Sequence, residues 1–399
     1  MPAEDATYRR FKTAFADLSP PFAFVDLDAL DANAAQVRRR SGDLPVRIAS
    51  KSLRCRWLLD YLLSSDRQFQ GLMCFSATEA LWLAQQGHDK LLLGYPSVDE
   101  AAIRGLCAQI AAGKQIVLML DSSEQGRLLQ RIAAEQNVTI PVCLDLDMSS
   151  DWPGLHFGVW RSPLRNLEAL QALLFHLQPL ERVKIVGLMG YEAQVAGLGD
   201  QMPGQGLKNQ AIRLLQQGSL REAIRRRQQA VALLQAQGHI LDFVNGGGTG
   251  SLELTATDTS VTELTAGSAF YAPTLFDGYS RFQLQPAAGF ALAVVRQPAA
   301  GIYTCLGGGY IASGATGIEK QPSVWAPHGA RLTDLEGAGE VQTPVQYSGP
   351  EPLALGSPVF FRHAKAGELC ERFDKLYLLR KDTVVEAVPT YRGEGQTFL

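Results

Sequence analysis

Phe22-Ala-Phe-Val-Asp26 is a short apolar run, and Asp28-Ala-Leu-Asp-Ala-Asn-Ala-Ala-Gln-Val-Arg38 behind it has helical spacing with an acidic first turn. The repetition of this strand-then-helix unit decides the fold. Apolar runs recur at Val46–Ser50, Gly71–Phe75, Lys90–Tyr95, Gln115–Asp121, Thr139–Asp147, Lys184–Tyr191 and Ile240–Asn245. Helical patterns separate them at Ala77–Gln86, Asp99–Ala112, Glu124–Gln136, Leu164–Leu177 and Leu220–Gln237. About eight such units in about 250 residues are the dimensions of an α/β TIM (β/α)8 barrel. An open doubly wound sheet shares the alternation, but count and length favour the barrel. Beyond residue 275 the helical period stops. Gly and Pro there punctuate alternating runs at Ala291–Arg296, Ile302–Leu306, Pro358–Arg362, Lys375–Leu379 and Val384–Val388, the spacing of a small C-terminal β-domain. The expected organisation is a helical segment over 1–21, a barrel over 22–274 and a β-domain over 275–399.

Composition narrows the function classes. The 399 residues are 46% hydrophobic and 19% charged, well outside the disordered class. Lys plus Arg (37) nearly balances Asp plus Glu (40), so no basic field invites nucleic acid or an acidic membrane surface. The apolar runs are too short to span a bilayer, and Met1-Pro-Ala-Glu-Asp5 lacks the basic-then-apolar order of a secretion signal. Cys55, Cys74, Cys107, Cys143, Cys305 and Cys370 are scattered and form no CxxC pair. Reduced core thiols and a cytoplasmic location are expected.

In a TIM barrel, chemistry gathers where strands end. Val46-Arg-Ile-Ala-Ser-Lys51 ends in a lysine, which desolvation at a buried strand end would free for Schiff-base chemistry; the bland alternative is a surface lysine. Phe243-Val-Asn-Gly-Gly-Gly-Thr-Gly-Ser251 offers three consecutive glycines with the Thr249 and Ser251 hydroxyls, the makings of a nest for a phosphate dianion. A dinucleotide fingerprint fails because Ser251 stands in place of the third glycine and no helix opener follows. A strand-end lysine with a phosphate nest suggests pyridoxal 5'-phosphate. Asp145 and Asp147 share one face of their strand and line its end. No Gly-x-Ser-x-Gly elbow or His-Glu-x-x-His helix supports a hydrolase.

The chain also resembles the fold type III, alanine racemase-like pyridoxal phosphate enzymes. The likeness is to the D-threonine aldolase and D-serine dehydratase branch, including proteins described as "amino acid aldolase or racemase". The motifs are Val25–Asn33, Arg47-Ile-Ala-Ser-Lys51, Gly187-Leu-Met-Gly-Tyr-Glu192, Asn245–Ser251 and Glu263-Leu-Thr-Ala-Gly-Ser-Ala-Phe-Tyr271. The resemblance implies a cofactor-binding barrel, a β-domain and a head-to-tail homodimer acting on a small amino acid. It implies Lys51 as the Schiff-base lysine, Gly247, Gly248 and Thr249 as the phosphate cup, and Asn245 as a further cofactor-binding residue. Tyr191 would line the pocket, and His156 would stand where the family has an arginine at the cofactor's phenolic oxygen.

Enzymes of this branch bind a divalent metal through His-x-Asp or His-x-Cys. Here His363 matches the first ligand, but Lys365 stands at the second, and an ammonium is no metal ligand. Either Glu368 or Cys370 replaces it, or the metal is gone and Lys365 does electrostatic work itself. Glu368 and Glu371 also read as members of a charged surface loop. The expected activity is lysis of a small D-configured β-hydroxy amino acid, by retro-aldol cleavage or dehydration. His363 and Lys365 would serve the β-hydroxyl. A racemase, with Tyr310 as a candidate second base, is the alternative on the same scaffold. A non-catalytic pyridoxal phosphate carrier and a phosphosugar aldolase are the rivals of other kinds.

Overall fold

A computed structural model describes residues 5–315, 317–351 and 353–398. The chain divides into two units. One holds the described residues of 1–36, 52–60 and 268–397, the other those of 37–51, 61–267 and 398–399.

The second unit is a closed barrel of eight parallel strands: Val46–Ala49, Phe69–Cys74, Leu91–Leu93, Ile116–Leu120, Ile140–Asp147, Val183–Tyr191, Phe243–Gly246 and Glu263–Ala266. Each pairs with the next in sequence, and the last closes on the first in the register Leu264↔Val46, Thr265↔Arg47, Ala266↔Ile48. Helices between strands start where polar side chains satisfy their first free N–H groups. Asp99 and Asn166 each accept from the third helical residue, and Ser122 with Gln125 forms a capping box. Leu92, Met119, Cys143, Val186, Met189 and Phe243, from five strands, form one buried cluster. At the closing seam the core is polar: Arg47 grips Glu263 through Nε (2.8 Å) and Nη2 (2.7 Å), and Asn245 Nδ2 donates to the same carboxylate at 2.8 Å.

The barrel is found as expected, but two of its strands differ from the sequence reading. Phe22–Asp26, read as the first barrel strand, lies in the β-rich unit. There it pairs antiparallel with Ala288–Ala299 and parallel with Lys375–Arg380. All five of its residues are buried, and a strand covered on both faces reads alike in either kind of sheet. Glu263–Ala266 takes the vacated place. Its brevity and its charged first residue hid it.

The β-rich unit is a nine-stranded sheet. All five strands expected beyond residue 275 are present, joined by Ser323–Ala326, Arg331–Leu332 and Gln342–Gln346. The N-terminal helix Ala6–Ala14 packs on this sheet, with the Phe11 ring 5.0 Å from Phe24, 4.9 Å from Trp325 and 5.2 Å from Phe360. All six cysteines are free and buried. Among the described residues no helix is long and apolar enough to cross a membrane.

Candidate active site

Five barrel residues meet at the C-terminal ends of the strands. Val46–Ala49 runs into a tight turn, Ser50–Ser52, which Ser50 ties to the neighbouring strand by donating to the Met73 carbonyl at 2.9 Å. Lys51 projects from this turn. It is exposed, so the desolvation expected for it is not found. Its Nζ donates to Tyr95 Oη at 3.1 Å and lies 5.5 Å from the Tyr95 ring centroid. Arg161 lies on the same ring (5.0 Å) and on the ring of Tyr191 (5.6 Å). It is fixed there by Asp145, 2.9 Å from Nε, and by the Gly94 carbonyl, 2.7 Å from Nη2. Desolvation raises the Tyr95 phenol, but Lys51 and Arg161 outweigh it and hold the group below its ordinary value. Burial pushes the Asp145 carboxyl up to about 7, against the pull of Arg161.

Tyr191 leads to the glycine loop. A Cβ on Gly248 would lie 2.9 Å from Tyr191 Cε2 and 3.0 Å from Ala196 Cβ, so only glycine fits without displacement. Gly247 has φ +76°, which permits the reversal of the chain there. The loop is not the open nest the sequence suggested. Gly247 N–H donates to Glu192 (3.4 Å), Gly248 N–H to Ser251 Oγ (3.2 Å) and Gly250 N–H to the Ala196 carbonyl (3.1 Å). Thr249 offers its carbonyl to Arg40 at 2.7 Å. Beneath the loop, Glu192 also accepts from Ser251 Oγ (3.0 Å), Thr255 Oγ1 and Arg227 Nη2 (3.0 Å). Asn245 is engaged at the barrel seam with Glu263 and Thr265.

His156 does not join this group through its observed contacts. It sits in the hairpin Ser150–Trp152 and Leu155–Phe157, with Nδ1 2.9 Å from Asp151 Oδ1 and its ring stacked 3.9 Å from Trp160. Arg161, five residues on, is the residue that lies between the Tyr95 and Tyr191 rings. The signal for Arg161 was the buried acidic strand end, which needs a cation.

The other expected residues lie in the β-rich unit. His363 is buried, with neither ring nitrogen hydrogen-bonded and the Tyr271 ring edge-on at 6.1 Å. Burial, then the Arg362 charge, lowers it to about 3, so its imidazole is neutral. Lys365 Nζ donates to Ser313 Oγ at 2.9 Å, and Glu368 accepts from the same residue's N–H at 3.0 Å. Glu371 pairs with Arg54, and the Cys370 thiol, raised by burial, donates to the Leu53 carbonyl at 3.1 Å. Among the described residues no group of three or more His, Cys, Asp or Glu could hold a metal ion. The Tyr310 ring packs on Phe290 (4.9 Å) and Phe373 (5.6 Å).

An exposed amine, a cation between two tyrosines and a glycine approached by one of them fit a phosphate-tailed aldehyde. The comparisons with known proteins agree on the scaffold. The chain is similar to D-threonine aldolase from Filomicrobium marinum, with TM-score 0.78 and 18% identity over 95% of this chain and 96% of that one. It is similar to D-threo-3-hydroxyaspartate dehydratase from Delftia sp. HT23, with TM-score 0.75 and 18% identity over 94% and 98% of the two chains. It is also similar to alanine racemase from Clostridium difficile 630 in complex with cycloserine, with TM-score 0.65 and 16% identity over 93% and 98%. At such identities these structures speak for the fold. No curated protein matches the sequence. The family described as "Alanine racemase, N-terminal domain" matches residues 25–274, the stretch that carries all eight barrel strands and the loop at Gly248. The chain therefore belongs to the alanine racemase N-terminal domain family.

Proposed function

We propose that this protein is a pyridoxal 5'-phosphate-dependent lyase of small D-configured β-hydroxy amino acids, cleaving or dehydrating them at Lys51. The observation that carries the reading is the connected line Lys51–Tyr95–Arg161–Tyr191–Gly248 at the barrel mouth. Lys51 would hold the aldehyde end of the cofactor. Gly248, Thr249 and Tyr191 would hold its phosphate, with Ser251 yielding the Gly248 N–H it now occupies. Arg161, not His156, would face the ring oxygen. Bound there, the cofactor supplies an electron sink for bond breaking next to the amino carbon.

The remaining work falls to side chains. Arg161 places positive charge at the mouth and is itself held by Asp145. Lys51 would serve as the base and acid at the amino carbon. Departure of a β-oxygen needs charge at that oxygen, a task we assign to Lys365 with the neutral His363 beside it in sequence. The racemase alternative asks Tyr310 to act as a base, a phenol that desolvation raises despite Arg372. We also propose that the protein works as a cytoplasmic homodimer.

The test is to supply the protein and cofactor with D-threonine, D-3-hydroxyaspartate and their L-enantiomers. Aldehyde plus glycine, or keto acid plus ammonia, from the D-forms alone supports the lyase. Interconversion of enantiomers without cleavage would give the racemase reading instead.

A further inference from the structure

We propose that Tyr95 is a catalytic residue that takes the proton Lys51 sheds and hands it back. The inference rests on the assignment of Lys51 above, and its starting point is geometric. Tyr95 follows the third barrel strand, Leu91–Leu93, and its hydroxyl is 3.1 Å from Lys51 Nζ. An amine attacks a carbonyl only with a free lone pair, so an ammonium at Lys51 must first give up a proton. Tyr95 Oη lies within the reach required of a proton acceptor.

The two tyrosines that share Arg161 are set in opposite ways. Tyr191 is pushed up to about 12 by burial, then by Glu192 and Tyr95, so it keeps its proton. Tyr95 is drawn down by Lys51 and Arg161 although desolvation opposes them, so its proton is the easier to lose. The charged or titratable groups facing Tyr95 are Lys51, Arg161 and Tyr191, with Asp145 behind the guanidinium. In the step, an N–H bond of the Lys51 ammonium breaks and its electron pair stays on nitrogen. An O–H bond forms on the Tyr95 phenolate, so an ammonium–phenolate pair becomes an amine–phenol pair with no change in total charge. The reverse transfer returns the proton. Tyr95 is 42% exposed, so Phe replaces it without opening a core cavity.

The test uses the full chain, freed of cofactor. Ring-labelled tyrosine is followed by NMR through a pH titration, and Tyr95→Phe identifies the signal. In Lys51→Met the Tyr95 midpoint should move up by about one unit, because one of the two cations that hold it down is gone. Uptake of pyridoxal phosphate, fixed to Lys51 with borohydride and located by peptide mass, should be slower in Tyr95→Phe on the order of a hundredfold. Phosphate-free pyridoxal should be slowed equally, since the effect lies on the amine. An unmoved midpoint in Lys51→Met overturns the proposal, as does unchanged uptake in folded Tyr95→Phe. If the wild type fixes no cofactor at Lys51, the assignment of Lys51 fails, and the Tyr95 midpoint alone then decides whether the pair exchanges a proton.

Discussion

At the scale of single residues, Gly248 carries the sharpest consequence. A side chain there must push into Tyr191 and Ala196, each within about 3.0 Å of the new Cβ. Overpacking of that kind costs about 1–3 kcal/mol. Gly248→Val should therefore weaken retention of pyridoxal phosphate roughly ten- to a hundredfold while the far-UV circular dichroism stays native; equal affinity would move the phosphate site elsewhere. Lys365 invites the converse experiment. Its ammonium stands two residues from His363, where a metal ligand would be needed. Activity should survive EDTA, and Lys365→Asp should lower it by roughly a hundredfold, the scale of losing a charge aimed at a developing anion. Elemental analysis showing one zinc or manganese per chain, lost together with activity on chelation, would refute the charge assignment. Lys51 and the glycines stood out as candidates in the sequence because strand ends and consecutive glycines are local signals, whereas Tyr191 came only from the family resemblance. Arg161 and Tyr95 did not, because a nonlocal approach of four strand ends brings them to Lys51 and Tyr191.

At the scale of elements, the closing strand Glu263–Ala266 shows why the barrel count was legible and its last member was not. An apolar run announces a strand, whereas Glu-Leu-Thr-Ala is acceptable inside a barrel only because Arg47 and Asn245 meet the carboxylate. Arg47 and Glu263 are both more than nine-tenths buried, so removing one partner leaves a charge without compensation. Arg47→Met should cost about 3–5 kcal/mol in denaturant unfolding, while the Arg47→Met, Glu263→Leu double variant should cost less than the single one. A double variant less stable than the single would mean that the pair is not what closes the seam. The same reasoning explains Phe22–Asp26. Its buried apolar pattern is genuine, but pattern alone does not say which sheet does the burying.

At the scale of the whole molecule, the β-rich unit is assembled from both ends of the chain, so the boundary near residue 275 does not mark a separable piece. Phe22 and Ala23 find their partners at Ala291 and Leu376, more than 250 positions away. A fragment ending at residue 274 keeps the fully buried strand and loses both neighbours. It should aggregate or lack near-UV circular dichroism, and a monomeric, native-like fragment would contradict this topology. The proposed chemistry depends on one covalent bond, that between Lys51 and the cofactor. The direct measurement is borohydride reduction of the protein loaded with pyridoxal phosphate, followed by peptide mapping of wild type and Lys51→Ala. The account predicts a single reduced pyridoxyl label on the peptide containing Lys51 and none in Lys51→Ala; a label and colour retained by folded Lys51→Ala would contradict it.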